Sequence, residues 1–421
     1  MAPSEQPKPG IYRGWPVAGV TFLTLAASIG MGQFAFGVFI TPLEDEFGWT
    51  RTQINISLTL GVVTAFISPF TGRLLDRYGS RWIMVISLAS IALGFFLRAI
   101  MTDLWQFYLF SLLIVLGVPG TTMMPVGRLV GLWFPGTRGR MMGIVTAGNN
   151  FGGMVTIPLA AGMIALAGWR WSFAAMGLIV LVVLVLVVLT IRDDPDEIDR
   201  EAGKRWAPKT LPGRQARSLL SGFSTSQAFH MRTFWFLMIA MGLQQFARTA
   251  VSTQLFPHLE QKGFGIGTAA AMVSVVSFFA IASKIISGRV SESFTARYTY
   301  VAIIAMQMVG MALLILFGGS WAVWIALVIF GLGMGGVGTL GPLVIVENFG
   351  LRNFGGILGL TRPAQILPEI AGPLLAGITF DVTDQYDLAF GIVIAILGVS
   401  IVSFLLARPV DPNAATDTDL R

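Results

Sequence analysis

The sequence predicts an all-α membrane protein of twelve transmembrane helices in two six-helix repeats, and three observations carry that prediction. The 421 residues are 54% hydrophobic and only 12% charged, with a mean hydropathy of +0.74, where a soluble domain carries about 25% charge. A ten-residue signature occurs twice: GRLLDRYGSR at 72–81 and GRVSESFTAR at 288–297, 216 residues apart, about half the chain. One long polar stretch, 192 to about 232, interrupts the hydrophobic pattern between the two copies.

Taken in order, a polar head leads into a first span from about Trp15 to Leu43, which ends in the acidic EDEFGW loop. Spans follow at about Ile54 to Thr71, Trp82 to Met101, Leu104 to Leu132, Met141 to Ala167 and Phe173 to Ile191, each approaching or exceeding the ~20 residues that cross a bilayer as a helix. The fourth is rich in Gly and Pro (GVPGTTMMPVG), and the fifth carries GNNFGG. Residues 192–232, with IRDDPDEIDREAGKRW followed by Pro, Gly, Ser and Gln, form a solvated linker. Six more spans are expected at roughly 233–256, 266–287, 298–318, 321–346, 354–379 and 388–407. The domains are therefore 1–191, the linker 192–232, and 233–421. No cleavable signal is expected, because the first apolar segment lacks a short h-region with a small-residue cleavage site.

The halves match colinearly. QFA at 33–35 recurs at 245–247, IPLAAGM at 157–163 resembles GPLLAGI at 372–378, and MGIVTAGNN at 142–150 resembles GGILGLTRP at 355–363, with offsets between 212 and 217. Six spans per half make the repeats parallel, related by an axis along the membrane normal. Of the 28 Lys and Arg, 20 fall in loops or tails on the linker side; on the other face we expect only Arg51, Arg98, Arg170 and Lys262. The positive-inside rule then makes both termini and the linker cytoplasmic, in an inner or plasma membrane. The net charge of +6 describes this topology and gives no reason to invoke nucleic acid.

Twelve spans in two halves, with G-x-x-x-D-R-x-G-x-R after the second span and its echo after the eighth, resemble the major facilitator superfamily. The resemblance implies two halves rocking about a central, alternately exposed cavity. It also implies gating roles for Gly72, Asp76, Arg77 and Arg81, and for Gly288, Glu292 and Arg297 in the second copy; the bland alternative is a positive-inside turn with a capping carboxylate. YRGWPVAG, FGVFITPLEDEFGW, WFPGTRGRMMGI and GWRWSF look like the monocarboxylate-porter and oxalate/formate-antiporter branch.

Charges inside spans cost roughly 2.5 to 3.5 kcal/mol each at a helix centre, so each needs a partner or a purpose. We expect four such cations and one anion: Arg128, Arg248, Lys284, Arg362 and Glu369. In the resembled family span eight carries an arginine at the substrate site, in a stretch similar to ASKIISG, and span eleven a lysine at the Gly356-to-Arg362 spacing. Lys284 and Arg362 invert that pair as expected anion ligands. The alternative for both is a buried ion pair or a snorkelling side chain. Pro363, Pro368 and Pro373 predict a kinked span eleven, a pointer to a binding site.

Arg248 is a further ligand candidate. Its bland reading is a structural pair with Glu369; the sharper one makes Glu369 a proton carrier. Arg128, near the linker-side end of its span, is expected to snorkel or to latch. Gln33, Gln245, Asn149 and Asn150 are polar candidates, each equally able to serve as an interhelical hydrogen bond. Ala280 stands where proton-coupled monocarboxylate porters have an aspartate, and FAFGVF replaces their late span-one lysine, which weakens that route of proton symport.

Cys is absent, His230 and His258 fall in or beside loops on opposite faces, and no metal-ligand spacing appears in any span, so no enzyme, metal or cofactor is expected. The expected function is a secondary active transporter of a small organic anion, a mono- or dicarboxylate, by proton symport or anion exchange and functional as a monomer. The alternatives are an exporter of amphipathic compounds, favoured by 31 Phe and 19 Met if many line the cavity, and a non-transport receptor or scaffold.

Overall fold

The computed structural model describes residues 14–193, 222–317, 320–383 and 385–408. The tails and most of the linker lie outside the described residues. Among those described, nine helices are long and apolar enough to cross a bilayer, and Leu104–Gly117 with Pro119–Trp133 forms a tenth span bent by 42°. The nine are Gly14–Phe47, Gln53–Tyr78, Ser80–Ala99, Arg138–Ala167, Trp169–Thr190, Ala271–Phe294, Ala296–Leu316, Trp321–Phe349 and Asp387–Leu406. Two further helices, Arg232–Gln261 and Phe354–Thr383, complete the all-α twelve-span order as spans seven and eleven. They fall short on apolarity because polar side chains interrupt them: Gln244, Gln245 and Arg248 in one, Arg362, Gln365 and Glu369 with three prolines in the other. A transport site needs such groups, so the least apolar helices are the ones to follow.

The repeated signature is helical where a loop was expected. Span two continues through Arg73, Asp76 and Arg77 to Tyr78 and turns only at Gly79, φ 82°. Span eight continues to Phe294 and turns at Thr295, φ 68°. Gly79 and Thr295 are equivalent positions, so the second repeat keeps a left-handed turn that suits glycine while placing a β-branched residue there.

Span eleven carries its three prolines within one unbroken helix. Span ten is divided at Gly336, and further irregular backbone appears in the first half. Span one passes through a π-helical turn, Gly30–Phe34, into a 3₁₀ stretch, Ala35–Phe39; span two contains the 3₁₀ turn Leu60–Val62; span four breaks at Pro119–Thr121. Such irregularity is tolerated at membrane depth where it lines a cavity or is buried in protein, and these breaks border the central cavity, through Gly32 and Phe36, Gly61, and Pro119, as the span-ten break does through Gly335 and Val337.

Each half has its own apolar packing. Span three packs on span six and span one on span five; in the second half, span seven packs on spans eleven and twelve, and span ten on spans eight and nine. Phe39 stacks on Phe173 at 4.0 Å, with Phe95 and Phe107 buried beside them. Large exposed side chains such as Phe66, Leu166, Trp321 and Val382 face outward, as a lipid-facing surface requires.

The main packing across the halves joins span two to span eleven and span five to span eight, with spans four and five also against ten and eleven. Glycine makes this approach possible. A Cβ on Gly72 would collide with the Gly355 backbone, and one on Gly288 with the Gly139 backbone. Both sites lie at the linker-side ends of their helices.

Candidate functional site

The seal between the halves is built from the two signature copies. Asp76 accepts from the backbone N–H groups of Gly355 at 2.9 Å and Gly356 at 2.7 Å. These are among the first amides of span eleven, so a carboxylate from span two caps the positive end of a helix in the other half. Arg128 of span four pairs with the same carboxylate at 3.3 Å, both side chains nearly buried. The second copy repeats the device: Glu292 accepts from the backbone N–H of Arg140 at 2.7 Å, near the start of span five, and pairs with the Arg140 side chain at 3.5 Å. Thr146 and Thr339 share a hydrogen bond of 2.9 Å farther in.

The remaining signature cations do not cross. Arg81 donates to the Val188 carbonyl at 2.8 Å, and Arg297 to those of Phe404 at 2.9 Å and Leu405. Each fastens the C-terminal end of spans six and twelve within its own half. Arg77 is exposed and stands over the Tyr78 ring at 5.3 Å.

Beyond the seal, a cavity of about 690 Å³ lies between the halves. It brings together Asn149, Asn150, Gln245, Arg248, Lys284, Arg362 and Glu369. Lys284 donates across the halves to Asn150 Oδ1 and to the Thr146 carbonyl at 3.2 Å. Its backbone, packed against Gly143, places it at the floor. Asn149 turns a buried carbonyl oxygen with no hydrogen-bond partner. The Gln33 side chain lies outside the described residues.

Glu369 pairs with Arg362, not with Arg248 as expected. Arg362 Nη1 approaches Glu369 Oε2 at 2.8 Å, with both side chains about 30% exposed. The two are seven residues apart, two turns along one helix face. The contact is one of charge, because its angle falls outside hydrogen-bond geometry. Arg248 instead donates to Gln245 at 3.1 Å and lies within electrostatic reach of Glu369, Arg362 and Lys284.

One residue was misread from sequence. Arg98 was expected at the outer face, but it is buried in span three at 6% exposure and lines the cavity. It is a further charge inside a span, donating to Ser111 Oγ at 2.5 Å and lying over the Phe107 and Phe173 rings. Its position near the end of an apolar run mimics an interfacial arginine, so hydropathy could not reveal it. His258 lies in the last turn of span seven, beside the loop as expected, and is buried there 3.9 Å from Asp387. Among the described residues no cluster of His, Asp or Glu has metal-binding spacing.

Residues 22–365 match the family model of the Major Facilitator Superfamily. The chain is 24% identical to monocarboxylate transporter 2 of Rattus norvegicus over 402 residues, covering 92% of this chain and 82% of that one. It is 22% identical over 396 residues to the uncharacterized MFS-type transporter YcxA of Bacillus subtilis (strain 168), covering 91% and 93%. Among solved structures, the fold is similar to the transporter FucP in the outward conformation, with a TM-score of 0.73, 15% identity, and 94% and 99% coverage. It is also similar to the human organic anion transporter MFSD10, with a TM-score of 0.71, 15% identity, and 95% and 100% coverage.

Proposed function

The chain belongs to the major facilitator superfamily and is a multi-pass membrane transporter, not an enzyme; from that premise we propose that it moves a small organic anion, a mono- or dicarboxylate, by alternating access. The observation that carries this reading is the charge of the cavity wall. Arg248, Lys284 and Arg362 face one carboxylate, Glu369, in a space that also offers Gln245 and Asn149. A surplus of cations in a half-desolvated cleft attracts anions and repels cations. The monocarboxylate transporters among the relatives point the same way.

In this reading the carboxylate competes with Glu369 for Arg362 and with Asn150 for Lys284. The hydrocarbon part packs against Met241, Val276 and Leu358 on the same wall. Binding and release then alternate with rocking of the halves 1–191 and 233–421 about the Gly72–Gly355 and Gly139–Gly288 contacts. With the linker side cytoplasmic by the positive-inside rule, the packed seal makes this an outward-facing conformation. Asp76 and Glu292 are the latches. Arg81 and Arg297, at the starts of spans three and nine, fasten those helices to spans six and twelve, and Arg77 stands exposed beside Tyr78. Displacement of Glu369 supplies the coupling, whether its charge is then taken up by a proton or the site is refilled by a counter-anion. The functional unit is one chain.

The test is ligand-induced thermal stabilisation of the purified protein by carboxylates beside neutral and cationic compounds, repeated on Lys284→Gln and Arg362→Gln. Stabilisation by particular carboxylates, lost in either variant, is the expected result. Equal stabilisation of all three proteins by neutral or cationic compounds alone would overturn the anion reading and favour the amphipathic exporter.

A further inference from the structure

The cations assigned so far all belong to the second half, yet a rocking transporter must let its substrate hold both halves at once. On the opposite wall stands Arg98. It is 18 residues into a helix that starts on the linker side, about 27 Å along at 1.5 Å per residue, and therefore lies toward the outer end. It lines the same cavity as Lys284 and Arg362. Its guanidinium lies 4.8 Å from the Phe107 ring centre and 5.6 Å from that of Phe173, and its only described hydrogen-bond partner is neutral, the Ser111 hydroxyl. Nε is buried without a partner.

No described carboxylate pairs with it. Arg128, Arg140, Arg170 and Arg362 each have one. A guanidinium this deeply desolvated and left without a counterion is costly, and a carboxylate fitting its planar fork would offset that cost. Ring faces hold the cation but cannot neutralise it.

We propose that Arg98 binds an acidic group of the substrate on the first-half wall, so that the preferred ligand is a dianion whose second acidic group is held on the second-half wall by Arg248, which at 16 residues from the linker-side start of span seven, about 24 Å along, lies at a matching depth. This deepens the carboxylate reading of the same cavity and rests on it. A ligand gripped at both ends ties the halves together, and a monoanion leaves one wall unengaged.

The experiment compares succinate with butyrate, matched four-carbon probes, by isothermal titration of the full chain in detergent, for wild type, Arg98→Gln and Arg98→Lys. Wild type should bind succinate about ten- to a hundredfold more tightly, the worth of one further charge-assisted contact. Arg98→Gln should bring the two probes to near parity with butyrate affinity held within about twofold, and Arg98→Lys, which keeps the charge without the fork, should retain part of the preference. A ratio unchanged in both variants, with only a lower melting temperature, would show that Arg98 merely clamps spans three, four and six through its rings, and overturns the proposal. Should Arg98→Gln not fold, an unchanged ratio in Arg98→Lys overturns it alone. Butyrate binding without a succinate preference in wild type sinks this inference and leaves the carboxylate reading standing; failure of both probes removes both.

Discussion

Replacing Asp76 by Asn should open the linker side. The carboxylate accepts from two backbone amides, at 2.9 and 2.7 Å, and pairs with Arg128 at 3.3 Å, in a position where its side chain is only 6% exposed. An amide side chain keeps one acceptor oxygen, turns an NH₂ toward the second amide, and leaves Arg128 without its counterion. Hydrogen bonds to charged groups are worth about 1.5 to 3 kcal/mol each, so the loss is about 2 to 4 kcal/mol of preference for the sealed state. At 1.4 kcal/mol per decade that is a ~30- to 700-fold shift toward the form open on the linker side. The chain has no cysteine, so one introduced thiol reports alone. Thr339→Cys places it at a fully buried site inside the seal. Alkylation of that thiol should accelerate by up to this factor when Asp76→Asn is added to the same background. Equal rates in the two proteins would mean that the capped helix end does not hold the halves together.

The partner latch is more exposed, with Glu292 at 20% and Arg140 at 43%, so Glu292→Gln should change the same labelling rate by less than about fivefold; a larger effect than that of Asp76→Asn would reverse the assigned order. Glu369→Gln removes the competitor for Arg362 and should tighten carboxylate binding about two- to fivefold by titration; weaker binding would make Glu369 a ligand. Arg81→Ala should lower the melting temperature while leaving Thr339→Cys labelling unchanged, because its bond to Val188 stays within one half. Thr295→Gly should raise stability by up to about 1 kcal/mol by relieving a β-branched residue at φ 68°, seen as a higher melting temperature; a drop would show the Thr side chain to be stabilising.

The sequence by itself determined the architecture. Hydropathy and the 216-residue repeat placed all twelve spans, because burial in lipid leaves a mark on composition that no tertiary contact can erase. It also singled out the charges facing the cavity on spans seven, eight and eleven, since an ionised group among apolar neighbours is conspicuous in one dimension. Pairing was decided only by the tertiary structure. Glu369 chooses Arg362 over Arg248 because two turns of one helix bring it there. Asp76 meets amides 279 and 280 residues away because glycines let two helices touch. Arg81 and Arg297 look like Asp76 in the motif, yet they serve helix ends in their own halves, a difference in direction that spacing does not encode. Arg98 was hidden for a related reason: a charge three residues from the end of an apolar run resembles an interfacial anchor, and only the packing of Phe107, Ser111 and Phe173 around it turns that end inward to the cavity.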